Sequence, residues 1–310
     1  MGSTSGNQAS PTAALVARAI GYFGDMTLTV GTGPFGPRRA GEWNFEYTGP
    51  AHALYLHEHP RRVRATLGGE TVFDTLVPRL LHETGYLPRY YIPREDVRWE
   101  LFEPTDHTTH CPFKGDARYW TARAGDAEAA NVAWEYPDPI EGAPALAGLI
   151  GFYWDPLEHW YEEDEEVFVH PRDPFHRVDV LPTSRRVRVS LGGQLLAEST
   201  RAQVLYETGL PPRWYLPRED VRLDLLEPTP GLRTRCPYKG ITSGYWSAGD
   251  EEGVAWTYSD PLLAVEPIRD HVAFFNERVD LEVDGRAEER PRTQWSDIRW
   301  IERARERAIA

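Results

Sequence analysis

Sulfur is scarce in this sequence: 310 residues hold two cysteines and two methionines. The cysteines, Cys111 and Cys236, fall in different halves, so neither half can build a multi-cysteine zinc site by itself. Two thiols in a chain of this length fit a reducing compartment. No run approaches the roughly 18 to 20 apolar residues needed to span a bilayer. Basic charge is also short: 34 Lys and Arg stand against 48 Asp and Glu, a net charge of −14. That balance excludes sequence-independent nucleic-acid binding, which needs a basic face, and leaves room for a local basic pocket. Leu15 to Ile20 is too short and lacks the basic flank of a signal peptide. Gly6 breaks the myristoylation pattern. These absences point to the cytoplasm, with neither membrane nor nucleic acid as a partner. Helical signal is scarce as well. Ser296 to Ile309 is the best stretch, with Ser296 as its N-cap and a thin apolar face of Ile298, Ile301, Ala304 and Ala308.

What the chain does have is a large internal repeat. Tyr91-Ile92-Pro93-Arg94-Glu95-Asp96-Val97-Arg98 returns as Tyr215-Leu216-Pro217-Arg218-Glu219-Asp220-Val221-Arg222. His110-Cys111-Pro112-Phe113-Lys114-Gly115 returns as Arg235-Cys236-Pro237-Tyr238-Lys239-Gly240. Between Pro50 and Thr105, and again between Pro174 and Thr229, just under half of the aligned positions are identical. Such self-similarity signals duplication of a whole domain. The chain divides into a mobile leader (1–25), an irregular aromatic arm (26–49), a first repeat domain (50–160), an acidic, proline-containing connector (161–173), a second repeat domain (174–285) and a tail with a short helix (286–310).

Within each repeat the apolar period is two. Val63, Ala65 and Leu67 alternate with polar residues before Gly68-Gly69, as Val187, Val189 and Leu191 do before Gly192-Gly193. Paired glycines between such runs mark a hairpin. Val97, Trp99 and Leu101, with Val221, Leu223 and Leu225, read as another strand in each copy; so do Val132, Trp134 and Tyr136, with Val254, Trp256 and Tyr258. The fold class is therefore mainly β: two tandem units of small antiparallel sheets with little helix. The run Glu162 to Glu166 reads as a solvated loop.

Both copies keep Cys-Pro-aromatic-Lys-Gly. A thiol beside an ammonium group can titrate low and act as a nucleophile, which makes Cys111 and Lys114 candidates for catalysis, with Glu83 as acid or base. The alternative is a buried cysteine used as a small apolar residue and a lysine paired for structure. His110 precedes the first cysteine where the second copy has Arg235, so a proton shuttle is available only in the first. Arg94 and Asp96, read as an extended segment, share one face and line a polar pocket or pair internally; Arg218 and Asp220 are their counterparts. Tyr119, Trp134, Tyr245 and Trp256 are core aromatics, one or two of which stack on a ligand if they reach the rim. Glu207, Cys236 and Lys239 complete the twin site. His52 and His176 are shared, His107 belongs to the first copy only, and His57 and His59 lie too far along the first strand to be placed by spacing. No metal signature and no cofactor motif is present. Glu83, Arg94, Cys111 and Lys114 are expected to converge, and Glu207, Arg218, Cys236 and Lys239 likewise.

The glycine pair with Asp74-Thr75 or Glu198-Ser199 after it, Tyr-x-Pro-Arg-Glu-Asp-Val, Cys-Pro-aromatic-Lys-Gly, Tyr-Trp and Trp-x-Tyr-x-x-Pro together resemble the domain of unknown function 427, a family also labelled nucleotidyltransferase-like. The resemblance covers about residues 50–160 and 174–285. It implies a β-tent architecture similar to Mss4-like proteins, two sheets leaning over an open pocket. Zinc-binding relatives of that architecture use four cysteines that are absent here. The transferase label has no support in the residues, which show neither a Gly-rich phosphate loop feeding a helix nor a paired-Asp metal pattern. Two function classes follow: a small-molecule enzyme using Cys, Lys and Glu, or a non-catalytic module binding an anionic or nucleotide-like small molecule. A monomer with internal pseudo-two-fold symmetry is expected.

Overall fold

The computed structural model describes residues 49–297 and 299–308, with Leu28, Thr29 and Asn44. The leader (1–25), most of the arm, and Ile298 and Ile309 of the expected helix lie outside the described residues. From the arm, Thr29 is buried and is tied to the first repeat by its carbonyl, which accepts from Gly85 N–H at 2.8 Å.

Each half is a large antiparallel sheet packed on a small one. In the first half the large sheet runs Leu54–Glu58, Arg79–Glu83, Tyr86–Pro93, Leu149–Phe152, Ala127–Glu135, Gly115–Ala124, Phe102–Cys111. The small sheet runs Glu165–Val167, His159–Glu162, Val63–Leu67, Glu70–Thr75. The second half repeats this order. Its large sheet is Val178–Pro182, Gln203–Glu207, Arg213–Leu216, Val272–Phe274, Glu251–Thr257, Gly244–Ala248, Glu227–Pro228. Its small sheet is Gln194–Ser199, Val187–Leu191, Asp280–Val283, Arg286–Ala287. Registers match as well: Val63 faces Thr75 as Val187 faces Ser199, and Tyr119 faces Trp134 as Tyr245 faces Trp256. The chain is two tandem β domains. In the second, Arg235–Cys236 and Gly240–Ile241 form a separate hairpin where the first has continuous long strands.

Strand alternation gives the large sheet two apolar faces. Leu80, Tyr90, Ile92, Trp120 and Ala133 point toward the small sheet and meet Val63, Ala65, Val72 and Phe73. This core fills the space between the sheets, where the resemblance implied an open pocket. Leu81, Tyr91, Ala117, Tyr119, Trp134 and Tyr136 point the other way and pack under Leu146. In the second half this outer face is covered by Val265, Ile268 and the helix Arg299–Ala308 through Trp300 and Ile301. That helix starts three residues after the expected cap: Thr293 caps a separate 3-10 turn, Gln294–Ser296, and Asp297 Oδ1 accepts from Arg299 N–H at 3.0 Å.

Three sequence readings are corrected. Val97 to Leu101 is a 3-10 turn, Trp99–Leu101, and not a strand; Leu223–Leu225 repeats it. Arg94–Asp96 and Arg218–Asp220 are 3-10 turns opened by Pro93 and Pro217, so alternation does not apply to them. The acidic run is the tip of a hairpin between His159–Glu162 and Glu165–Val167, and Glu162 is buried within it.

The hairpin glycines give an internal comparison. Gly68 and Gly192 share φ +56°, but a Cβ at Gly68 would sit 2.2 Å from the Ala124 carbonyl oxygen, while Gly192 has open space. Gly192→Ala is expected to cost about 1 kcal/mol, the left-handed backbone term alone. Gly68→Ala is expected to cost about 2 kcal/mol more, because backbone must shift. Paired chemical denaturation measures both, and equal losses would show that the carbonyl clash is relieved freely.

Candidate functional site

The Cys-Pro-aromatic-Lys-Gly segment is a tight turn at the end of a hairpin. Lys114 N–H donates to the Cys111 carbonyl at 3.2 Å, and Gly115 closes the turn at φ +106°. This aims the lysine inward. Lys114 Nζ meets Glu83 Oε2, and His52 Nε2 lies 3.0 Å from Glu83 Oε1. The ammonium also lies 5.8 Å from the centre of the Tyr136 ring. The ring of Phe113 stacks on His52 at 3.8 Å. The second copy repeats the ion pair, the histidine contact and the stack: Lys239 Nζ to Glu207 Oε2 at 2.5 Å, His176 Nε2 to Glu207 Oε1 at 3.1 Å, and Tyr238 stacked on His176 at 4.2 Å. The carboxylate therefore joins the turn to the sheet edge in both halves.

The copies differ in enclosure. Phe113 is 43% exposed. Tyr238 is pinned by the connector: its hydroxyl accepts from Asp173 N–H at 2.9 Å, and Arg172 Nε donates to the Pro237 carbonyl at 2.8 Å. Beneath this cover the His176 and Glu207 side chains are 0% and 2% exposed, against 19% and 12% for His52 and Glu83.

Enclosure fixes the charges of the second cluster. Burial opposes a charged Glu207, but Lys239 and His176 outweigh it and hold the carboxyl at about 2. Burial likewise opposes a charged Lys239, yet the Cys236 sulfur, Glu207 and Tyr215 hold it above its ordinary value. Cys236 keeps some surface but is surrounded by protein at longer range; burial pushes its thiol up despite the pull of Lys239. Burial also raises the Tyr91 and Tyr215 hydroxyls, which accept from Trp134 Nε1 and Trp256 Nε1 at 3.3 and 3.2 Å.

Glu83, Lys114 and their twins thus come together, with Cys111 packed against the same outer face. Arg94 does not join them. Its guanidinium donates to Glu135 Oε2 at 2.9 Å, shares that oxygen with Arg118, and lies over Trp99 and Trp120. Glu135 alternates with Trp134 and Tyr136, so this triad sits on the opposite face of the sheet. His110 points away from Cys111 by the same alternation and pairs with Asp116 at 2.6 Å in solvent. Asp96 accepts from Thr75 Oγ1 at 2.5 Å, and Asp220 accepts from Ser199 Oγ at 2.7 Å and from Arg201. Tyr119, Trp134, Tyr245 and Trp256 are buried, the tyrosine hydroxyls bonded to Thr109 and Thr234. Arg218 lies over Trp246 at the edge of a hollow.

Sequence reasoning noted His52 and His176 as a shared pair and gave them no role. The signal was present: each lies 31 residues before its glutamate. Two hollows stand out on the surface, one of ≈ 620 Å³ around Arg218 and one of ≈ 370 Å³ lined by Leu56, Arg79, Pro144, Ala145 and Leu149. Neither is lined by the lysines, glutamates or cysteines of the twin clusters.

A family profile described as a domain of unknown function (DUF427) matches residues 55–163 and 179–285, one segment in each half. The chain belongs to this family. Its two copies coincide with the two β domains, and the Cys-Pro-aromatic-Lys-Gly turns lie inside both matches. No curated protein sequence matches the chain. Among the described residues no helix is long and apolar enough to cross a membrane.

Proposed function

We propose that this chain is a non-catalytic binding protein for a small anionic molecule, in which the twin Lys–Glu–His clusters fasten the fold. The charge state of the second cluster carries this reading. A nucleophilic lysine needs a neutral amine near pH 7, and Lys239 is held the other way. A general acid needs a raised carboxyl, and Glu207 is held at about 2. A reactive cysteine needs a lowered thiol, and Cys236 is pushed up. Each group rests in the form least useful for its chemistry. A lysine already neutralised by a carboxylate also adds little to anion binding, so the ligand site belongs elsewhere on the surface. The two unpaired thiols support a reducing compartment such as the cytoplasm.

A second reading, an enzyme confined to the first half, draws on the looser cover that Phe113 gives its cluster. Thiol chemistry separates the two. On alkylation of the native chain with iodoacetamide at pH 7, read by peptide mass spectrometry, both cysteines are expected to react more slowly than a free thiol of pKa about 8.5, and Cys236 more slowly than Cys111. Fast modification of Cys111 with an apparent pKa well below that figure would favour the enzyme.

A further inference from the structure

The two copies of the Tyr-x-Pro-Arg-Glu-Asp-Val turn keep the same arginine and treat it oppositely. In the first copy Arg94 is neutralised by buried Glu135, which Arg118 also holds. Strand register places Thr257 and Gly244 at the positions of Glu135 and Arg118. The carboxylate is gone, and Thr257 spends its hydroxyl on the His271 carbonyl at 2.7 Å. Trp246 stays, 5.5 Å beneath Arg218, in the place Trp120 occupies beneath Arg94. Among the described residues Arg218 has no carboxylate partner.

A hollow of ≈ 620 Å³ opens there, lined by Arg201, Pro217, Arg218, Glu219, Arg269, Asp270 and His271. Its other cations are committed. Arg201 is clamped by Asp220, at 2.9 and 3.1 Å, and Arg269 by Glu266 and Asp260. The Nδ1–H of His271 is spent on the Arg269 carbonyl. Arg218 alone offers an uncommitted guanidinium edge, its plane steadied by the indole. Such a fork matches a planar carboxylate or a phosphate through two parallel hydrogen bonds. Glu219 and Asp270 on the rim repel a second negative charge and favour a ligand with a single oxyanion group.

We infer that the second domain binds a small organic oxyanion at Arg218, in a site left open because the second copy has Thr257 where the first has the carboxylate that holds Arg94. This rests on the binding-protein reading and supplies the location and ligand class for it.

The test is calorimetric titration of the full chain at low salt with inorganic phosphate, phenyl phosphate and benzoate. At least one is expected to bind with Kd on the order of 1 mM or tighter. Preference for phenyl phosphate identifies a phosphate ligand, and preference for benzoate a carboxylate. Arg218→Gln is expected to weaken binding by about tenfold or more. Thr257→Glu rebuilds the first-copy arrangement and is expected to do the same, by giving Arg218 an internal partner. Arg123→Gln, at a surface ion pair of the first domain, is the control and should bind as the parent does. Should Thr257→Glu fail to fold, Arg218→Gln decides. No binding by any probe, or unchanged binding in Arg218→Gln, overturns the inference. Neither result bears on thiol reactivity, which tests the non-catalytic reading separately.

Discussion

Lys239→Met is expected to cost the second domain about 3 to 5 kcal/mol, the loss seen when one member of a buried ion pair is removed. Glu207 has a side chain 2% exposed, and Lys239 is its strongest cation. Without the ammonium, the carboxylate either stays charged beside His176 alone or takes up a proton, and both outcomes destabilise the fold. The pH dependence has a definite sign. Glu207 titrates at about 2 in the folded chain, below its ordinary 4.5. It therefore adds stability above pH 4.5 that is lost as pH falls through 2, about 3 kcal/mol in all. In Lys239→Met most of that contribution disappears at neutral pH, so stability falls less steeply on acidification than in the parent. Removing both partners with Lys239→Met/Glu207→Leu is expected to restore much of the loss, because no buried charge then stands alone. Differential scanning calorimetry between pH 7 and pH 3 reads all three. If Lys239→Met melts with the parent, the cluster does not hold the fold and a ligand-facing role for the lysine returns. Lys114→Met is expected to lose less, since Glu83 and His52 are more open to water.

The strand pattern was legible because one physical rule governs it. A sheet buried on one face demands period two, so Val63, Ala65 and Leu67 and their twins read as strands and are strands. Glu83 and Lys114 were legible because duplication kept both while apolar neighbours changed, and buried charges are costly unless compensated. Arg94 was not. Its three-residue turn breaks the alternation, and which sheet face it reaches depends on the parity of Glu135 on another strand. Trp99 and Leu101 mimicked a strand because both pack on the core from a 3-10 turn. The seal over His176 was beyond the sequence for another reason: Asp173 and Tyr238 lie 65 residues apart, and nothing local pairs them.

Glu162 is the sharpest case of a residue whose surroundings reverse its apparent character, and it carries the other large effect. Its run of acids reads as solvent-facing, yet in the strand His159–Glu162 it alternates with Tyr161 and shares the inward face with Trp160. With its side chain 2% exposed it receives Arg61 at 2.5 Å and the hydroxyl of buried Tyr90, with His59 Nε2 at 3.3 Å. Burial opposes its charge, but His59, Tyr90 and Arg61 prevail and hold the carboxyl at about 2. Arg172 of the connector lies 3.8 Å away and also donates to the Pro237 carbonyl, so the same glutamate sits where the two domains meet. Glu162→Ala leaves the buried Tyr90 hydroxyl without its acceptor and takes the carboxylate away from His59 and Arg61, and is expected to cost about 3 to 5 kcal/mol. Glu162→Gln keeps one acceptor oxygen and is expected to lose less. As with Glu207, the lowered carboxyl means stability present above pH 4.5 and lost as pH falls through 2. Acid unfolding of Glu162→Ala should accordingly take up one proton fewer than that of the parent. Because the connector loses an anchor too, the first domain should melt ahead of the second, splitting or broadening the calorimetric transition. A variant with the parent's melting temperature and acid profile would mean that Tyr90, His59 and Arg61 find other partners, and that Glu162 is the surface acid its neighbours in sequence suggest.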